Sequence, residues 1–190
     1  MKISKRLFSI CIGTMSLVIG FSSCKKRDTP PPREVTENDI SLLSPDEQKL
    51  IASNLDHMMD YYLYDVESFI IANEKTRSDV LKKFAQEEVV SGQKMINAIK
   101  EYAEKYNYKL DTVISTGKNN NLFKLTTSDV ANFDKIFINT YIESNNKFTD
   151  SISNKINQIN RVDLKELMEN VKNENVLRIS QVYKLRDSMN

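Results

Sequence analysis

The sequence predicts an all-α protein, an antiparallel four-helix bundle, on three observations. Apolar residues recur at three- and four-residue steps through four long segments, no segment alternates with period two, and glycine and proline are scarce, four of each in 190 residues. Few turn formers disfavour sandwiches, barrels and glycine-rich phosphate loops. The 27 Lys and Arg nearly balance 26 Asp and Glu, for a formal net charge of +1, and there is one histidine. Such a balance offers no surplus to neutralise phosphates, so nucleic acid is not expected as a partner, and His-rich metal sites are disfavoured.

The chain opens with Lys2, Lys5 and Arg6, followed by an uncharged, mostly apolar run from Leu7 to Phe21. This is the pattern of an export signal. The run has 15 residues, and at ~1.5 Å per residue it is too short for a hydrocarbon core of ~30 Å. It ends in Phe21-Ser22-Ser23-Cys24, which resembles the lipobox of bacterial lipoproteins. That resemblance implies a diacylglyceryl group on Cys24 and cleavage just before it. Cys11 would be removed with the signal, leaving Cys24 as the sole mature cysteine and no internal disulfide. The mature chain would then hold 24 basic and 26 acidic residues, with the membrane contacted through the lipid rather than through the body. Lys25 after the cysteine, in place of an inner-membrane retention Asp, favours the outer membrane by analogy. The absence of a following acidic run favours its periplasmic face.

Three segments follow from this: 1–23 as signal peptide, 24–43 as lipidated Cys24 with a tether containing Pro30-Pro31-Pro32, and 44–190 as the bundle domain. Polyproline geometry makes the tether a semi-rigid spacer. Ser44-Pro45-Asp46-Glu47 is a capping box with proline at the first helical position, and starts helix one. Ile51, Leu55, Met58, Tyr62, Val66, Phe69 and Ile70 mark one apolar face running to about Glu74. Thr76 with Asp79 suggests the next cap, and Leu81, Phe84, Ala85, Met95, Ile99, Tyr102, Ala103 and Tyr106 form the face of helix two. Residues 107–126, with Gly117 and Lys118-Asn119-Asn120-Asn121, read as a long non-helical connection pinned by Leu122, Phe123 and Leu125. Thr127 or Ser128 caps helix three, whose face is Val130, Phe133, Phe137, Thr140, Tyr141, Ser144, Phe148 and Ile152. Asn160 or Val162-Asp163 opens helix four, with Leu164, Met168, Val171, Val182 and Leu185 in line.

Polar residues interrupt these stripes. At 100° per residue, Glu88 and Gly92 fall in the apolar sector of helix two, Ser144 in that of helix three, and Asn175 and Arg178 near the centre of that of helix four. Buried polar groups cost several kcal/mol unless paired. Two readings stand: solvation where the helices splay, or an internal polar layer in which Glu88 and Arg178 form an ion pair. Gly92 marks either a close helix approach or the wall of a small cavity. His57 points away from the stripe of helix one and reads as exposed, and Tyr61, Tyr62 and Tyr64 read as core edge.

Helix two carries Leu81-Lys-Lys-Phe84-Ala85-Gln86 and Ile96-x-x-Ile99-x-x-Tyr102-Ala103, helix three Phe133-Asp134-x-x-Phe137-Ile138, and helix four Leu164-Lys165-x-Leu167 and Val182-x-x-Leu185. In order and spacing these resemble the DUF4142 family of exported bacterial proteins, over roughly residues 50–187. The resemblance implies a ferritin-like bundle. The family's helix-one glutamate would fall at Glu67, its Asp-His pair at Ser91 and Gly92, and its further histidines at about Asn145 and at Leu177 or Arg178. All three histidines are absent, and Gly, Asn, Leu and Arg cannot supply the donors transition metals prefer.

The expected function is that of a lipid-anchored envelope lipoprotein with a binding, structural or stress-related role, not an enzyme, with no cofactor and no catalytic residue. The alternative is a ferritin-like metal-binding or redox protein using the carboxylates Glu67, Glu88 and Glu143. A third possibility is a small-molecule or lipid carrier with a cavity around Gly92.

Overall fold

The computed structural model describes residues 43–188, and the signal segment, Cys24 and the tether lie outside them. The described residues form five helices and no strand: α1 Pro45–Lys75, α2 Asp79–Lys105, α3 Thr116–Thr127, α4 Phe133–Ile156 and α5 Val162–Ser188. Links of three residues between α1 and α2 and of five between α4 and α5 make two antiparallel hairpins, which pack on each other.

Local chemistry sets most boundaries. Ser44 and Glu47 exchange the reciprocal bonds of a capping box at α1, with Pro45 at the first position. Ser78 caps α2 by accepting from Leu81 N–H at 3.3 Å, whereas Thr76, expected to do so, is the C-cap of α1. α2 stops because Asn107 takes a left-handed φ of 48°. This lets Tyr108 N–H reach Ala103 C=O at 2.8 Å and Asn107 N–H reach Glu104 C=O at 3.0 Å, a Schellman ending.

The long connection is corrected by the structure, since Thr116–Thr127 is helical. Local propensity argued against it, but tertiary contacts hold both ends. Asp60 of α1 accepts from Ser115 N–H at 2.8 Å and pairs with Lys118 at 2.9 Å, which places a carboxylate at the positive end of α3. Lys75 of α1 donates to the carbonyls of Leu125, Thr126 and Ser128 at 3.1, 2.6 and 2.7 Å, which closes the negative end. Gly117 has no atom within 4 Å of where a Cβ would sit, so only intrinsic propensity opposed it. Of the three residues expected to pin it, Leu125 is fully buried, Leu122 half-buried and Phe123 exposed. Helix three starts later than expected as well. Ser128 is the C-cap of α3, Val130 is exposed in the turn, and α4 opens at Phe133.

The interior divides into two apolar clusters. One gathers Leu55, Met58, Ile99, Phe148, Ile152, Leu164 and Met168, and the other Phe69, Leu81, Phe133, Phe137, Tyr141 and Val182. Along the four long helices the residues around 61–65, 88–92, 144–145 and 175–178 include most of the buried polar ones, Asp65, Glu88, Asn145, Asn175 and Arg178. That segment is the candidate site.

Candidate functional site

Arg178 of α5 lies at the centre of this layer with its side chain 5% exposed. Its Nη1 donates to Asp65 Oδ2 of α1 at 3.1 Å, and its Nη2 to Ser91 Oγ of α2 at 2.9 Å. Its Nε lies 2.6 Å from Glu88 Oε2 of α2, an ionic contact without hydrogen-bond geometry. The guanidinium carbon stands 5.7 Å from the Tyr62 ring centroid. One guanidinium therefore joins three helices, and its planar fork suits it to serve two carboxylates at once.

An amide relay flanks this cluster. Tyr61 OH donates to Asn145 Oδ1 of α4 and, at 3.0 Å, to Asn175 Oδ1 of α5. Each amide NH₂ bonds back into its own helix, Asn145 to Tyr141 C=O at 3.1 Å and Asn175 to Val171 C=O at 3.0 Å. The Tyr61 ring stacks on Phe148 with centroids 3.6 Å apart. Ser144 is half-buried and meets the Tyr64 hydroxyl at 3.3 Å. All three tyrosines are fully buried rather than at a core edge.

Glu88, Gly92, Asn175 and Arg178 thus lie inside the bundle, not at a splayed end. Gly92 sits where a Cβ would come within 2.7 Å of Val66 Cγ2, so α1 and α2 approach closely there. The carboxylates of the metal alternative do not assemble: Glu67 and Glu143 are exposed, and Glu143 pairs with Lys147 at 2.6 Å. Sequence reasoning chose Glu67, whereas the inward carboxylate is Asp65, two residues earlier. Among the described residues no group of three or more His, Cys, Asp or Glu could hold a metal.

Burial governs the titration of the layer. It raises Asp65 to about 7 despite the opposing pull of Arg178, and it also raises Glu88. Tyr61, Tyr62 and Tyr141 are pushed up by the same desolvation and keep their protons. Burial works against the Arg178 charge, but the carboxylates of Asp65 and Glu88 hold it above its ordinary value.

His57 departs from its sequence reading. It is half-buried, packs on Phe148 with centroids 5.4 Å apart, and places Nε2 3.1 Å from Ser151 Oγ. Burial, then Lys155 and Lys118, lower it to about 4. It borders an open groove of about 680 Å³ between α1, the 111–116 segment and Lys155 of α4. The groove's carboxylates are already engaged. Asp56 accepts from Tyr108 OH and from Asp111 N–H, Asp60 serves Ser115 and Lys118, and Asp111 accepts from Val113 N–H at 3.0 Å.

With this geometry in hand, a family model described as a domain of unknown function, DUF4142, matches residues 45–177, from the first turn of α1 to just before Arg178. Among solved structures, "CopM in the Cu(II)-bound form" matches with a TM-score of 0.63 and 18% identity, covering 74% of this chain and 97% of that one. At that identity the likeness is one of fold. No curated protein matches.

Proposed function

The chain belongs to the DUF4142 family, and on that premise we propose that it is a lipid-anchored envelope lipoprotein. In this reading its bundle acts by binding or as a structural, stress-related component rather than as an enzyme, and an arginine serves as the cation of its polar centre. The observation that carries the reading is the contact of Arg178 with both Asp65 and Glu88 at 3.1 and 2.6 Å. A buried carboxylate pair needs a compensating cation, and here the chain supplies one from its own fourth long helix.

A fold neighbour described in a Cu(II)-bound form makes metal binding the reading to weigh against this. Copper prefers imidazole and sulfur donors, and the one imidazole of this chain faces Ser151, away from the Arg178 centre. The positions where the family resemblance places its glutamate, Asp-His pair and further histidines, Glu67, Ser91, Gly92, Asn145 and Leu177 or Arg178, hold an exposed carboxylate, a hydroxyl, no side chain, an amide, and an alkyl group or a guanidinium. The non-enzymatic part rests on His57. Ser151 and His57 are a nucleophile and a base within reach, but an imidazole lowered to about 4 is a weak base at neutral pH, and Ser151 is not part of the groove wall.

Anchoring is read from Cys24. Growth with a labelled fatty acid should label the wild type and not Cys24→Ala, and the wild type should fractionate with the outer membrane. The detergent-solubilised protein should hold well under ~0.1 equivalent of copper, iron, manganese or zinc. Stoichiometric metal that disappears in Glu88→Ala overturns the arginine-centred reading, and an unlabelled wild type overturns the anchor.

A further inference from the structure

We infer that the polar centre stores a proton at neutral pH, carried by Asp65, and that this proton makes the bundle an acid-tightened clasp. The inference is independent of the anchor and of the role proposed for the domain.

The charges around Asp65 do not balance. The groups facing Asp65 are Tyr61, Tyr62 and Tyr64 of its own helix, Glu88 of α2, Lys118 of α3, Tyr141 of α4 and Arg178 of α5, with Glu174 of α5 acting on Glu88 and Tyr62. Lys118 is matched by Asp60 at 2.9 Å. That leaves one guanidinium for two carboxylates, a surplus of one negative charge in an interior where an uncompensated charge is expensive.

Burial and distance from the guanidinium decide which carboxylate takes the proton. Glu88 keeps 10% of its side chain exposed and has the shorter contact with the guanidinium, 2.6 Å. Asp65 has a wholly buried side chain. Its Oδ2 accepts from Arg178, while its Oδ1 has no hydrogen-bond partner. A carboxylate oxygen without a donor in a dry interior is costly as an anion, and protonation converts it into a donor. The hydroxyls of Tyr62 and Tyr141 also have no hydrogen-bond partner, and both can accept. Neither can serve as the anion in place of Asp65, because burial pushes both well above the neutral range.

The sign follows from linkage. Asp65 retains its proton in the folded chain up to about 7, against 3.8 for the ordinary side chain. Across that window the unfolded chain releases a proton that the folded chain keeps, so the folding equilibrium constant falls by up to about tenfold per pH unit as pH rises. Above it both states are ionised and the slope ends.

The test is urea unfolding of the full chain in detergent between pH 5 and 8, for wild type, Asp65→Asn and Glu88→Gln. Asparagine imitates the protonated acid, and comparison between variants cancels the other titrating groups, His57 included. Asp65→Asn should remove the slope and be at least as stable as wild type at pH 8, and Glu88→Gln, which removes the surplus negative charge, should move the slope to lower pH without abolishing it. The infrared carbonyl band of a protonated carboxylic acid should be present in the wild type at pH 6 and missing in Asp65→Asn. A wild type without that band, a slope unchanged in Asp65→Asn, or an Asp65→Asn chain that is more than about tenfold less stable or unfolded at every pH overturns the inference.

Discussion

Replacing Arg178 by methionine keeps much of the stem and removes the charge, so it isolates what the guanidinium does. Two ionic contacts are lost, to Glu88 at 2.6 Å and to Asp65 at 3.1 Å, along with the stacking over Tyr62 at 5.7 Å. Removing one partner of a buried pair costs about 3–5 kcal/mol, because the carboxylates left behind cannot reach water. Against a total stability of roughly 5–15 kcal/mol, that is a large fraction. With a urea slope of about 2 kcal/mol per molar, the unfolding midpoint at pH 8 should fall by about 2 M, followed by circular dichroism at 222 nm. At pH 5 the loss should shrink, since an acid that is already neutral does not need the arginine. Adding Asp65→Asn and Glu88→Gln to Arg178→Met should restore most of the stability, because no charge remains to be solvated. A single variant within about 1 kcal/mol of wild type at pH 8, or a triple variant no better than the single one, would refute the idea that charge compensation holds this centre.

Two further outcomes follow from particular contacts. Gly92→Ala should destabilise by about 1–3 kcal/mol, because its Cβ would meet Val66 Cγ2 at 2.7 Å and a β-branched side chain has few rotamers to escape into. The companion Val66→Ala should recover part of that loss, and a Gly92→Ala chain as stable as wild type in urea would remove the close approach. His57 should titrate near 4 in the folded chain by NMR. Its contribution to stability is then present above the ordinary value of 6.5 and lost as pH falls toward 4, so an imidazole titrating at 6.5 in the folded protein would contradict its burial against Phe148.

Some of this architecture was legible because the signal is local. The Ser44 box and the apolar stripes depend on residues within one or two turns of each other, and angular position alone placed Glu88 and Arg178 in the sectors facing inward. Asp65 was missed because α1 is not a surface helix with one buried stripe. It packs against α2, α3 and α4, and its buried residues include Asn54, Tyr61, Asp65, Ser68 and Ala72 beside the expected Leu55, Tyr62, Val66 and Phe69. The first set recurs at steps of seven, four, three and four residues and forms a second stripe. Its polar members hid it from a search for apolar periodicity. His57 was misplaced for the same reason, since a broad buried arc covers angles that a single stripe leaves in water. The helicity of Thr116–Thr127 was not legible at all, because the groups that stabilise its ends, Asp60 and Lys75, come from more than 40 residues away.

The position of the charged layer bears on why it exists. Most members of the apolar clusters are Leu, Ile, Phe, Val and Ala, with Met in the first cluster, and these pack with little regard to which turn of a partner helix they face. Sliding α5 by one turn, about 5.4 Å, would still bury apolar surface in both clusters. It would also carry Arg178 off Asp65, Glu88 and Ser91 and take Asn175 from Tyr61, leaving buried charges and an amide unpaired. The cost of that mismatch exceeds any gain from the contacts in the correct register, since broken buried pairs cost more than intact ones contribute. We read the layer as a register lock for this reason. The triple variant that removes its charges should stay folded yet lose the sharp near-ultraviolet circular dichroism of its packed tyrosines, and retention of that signal would show that the apolar clusters set the register unaided.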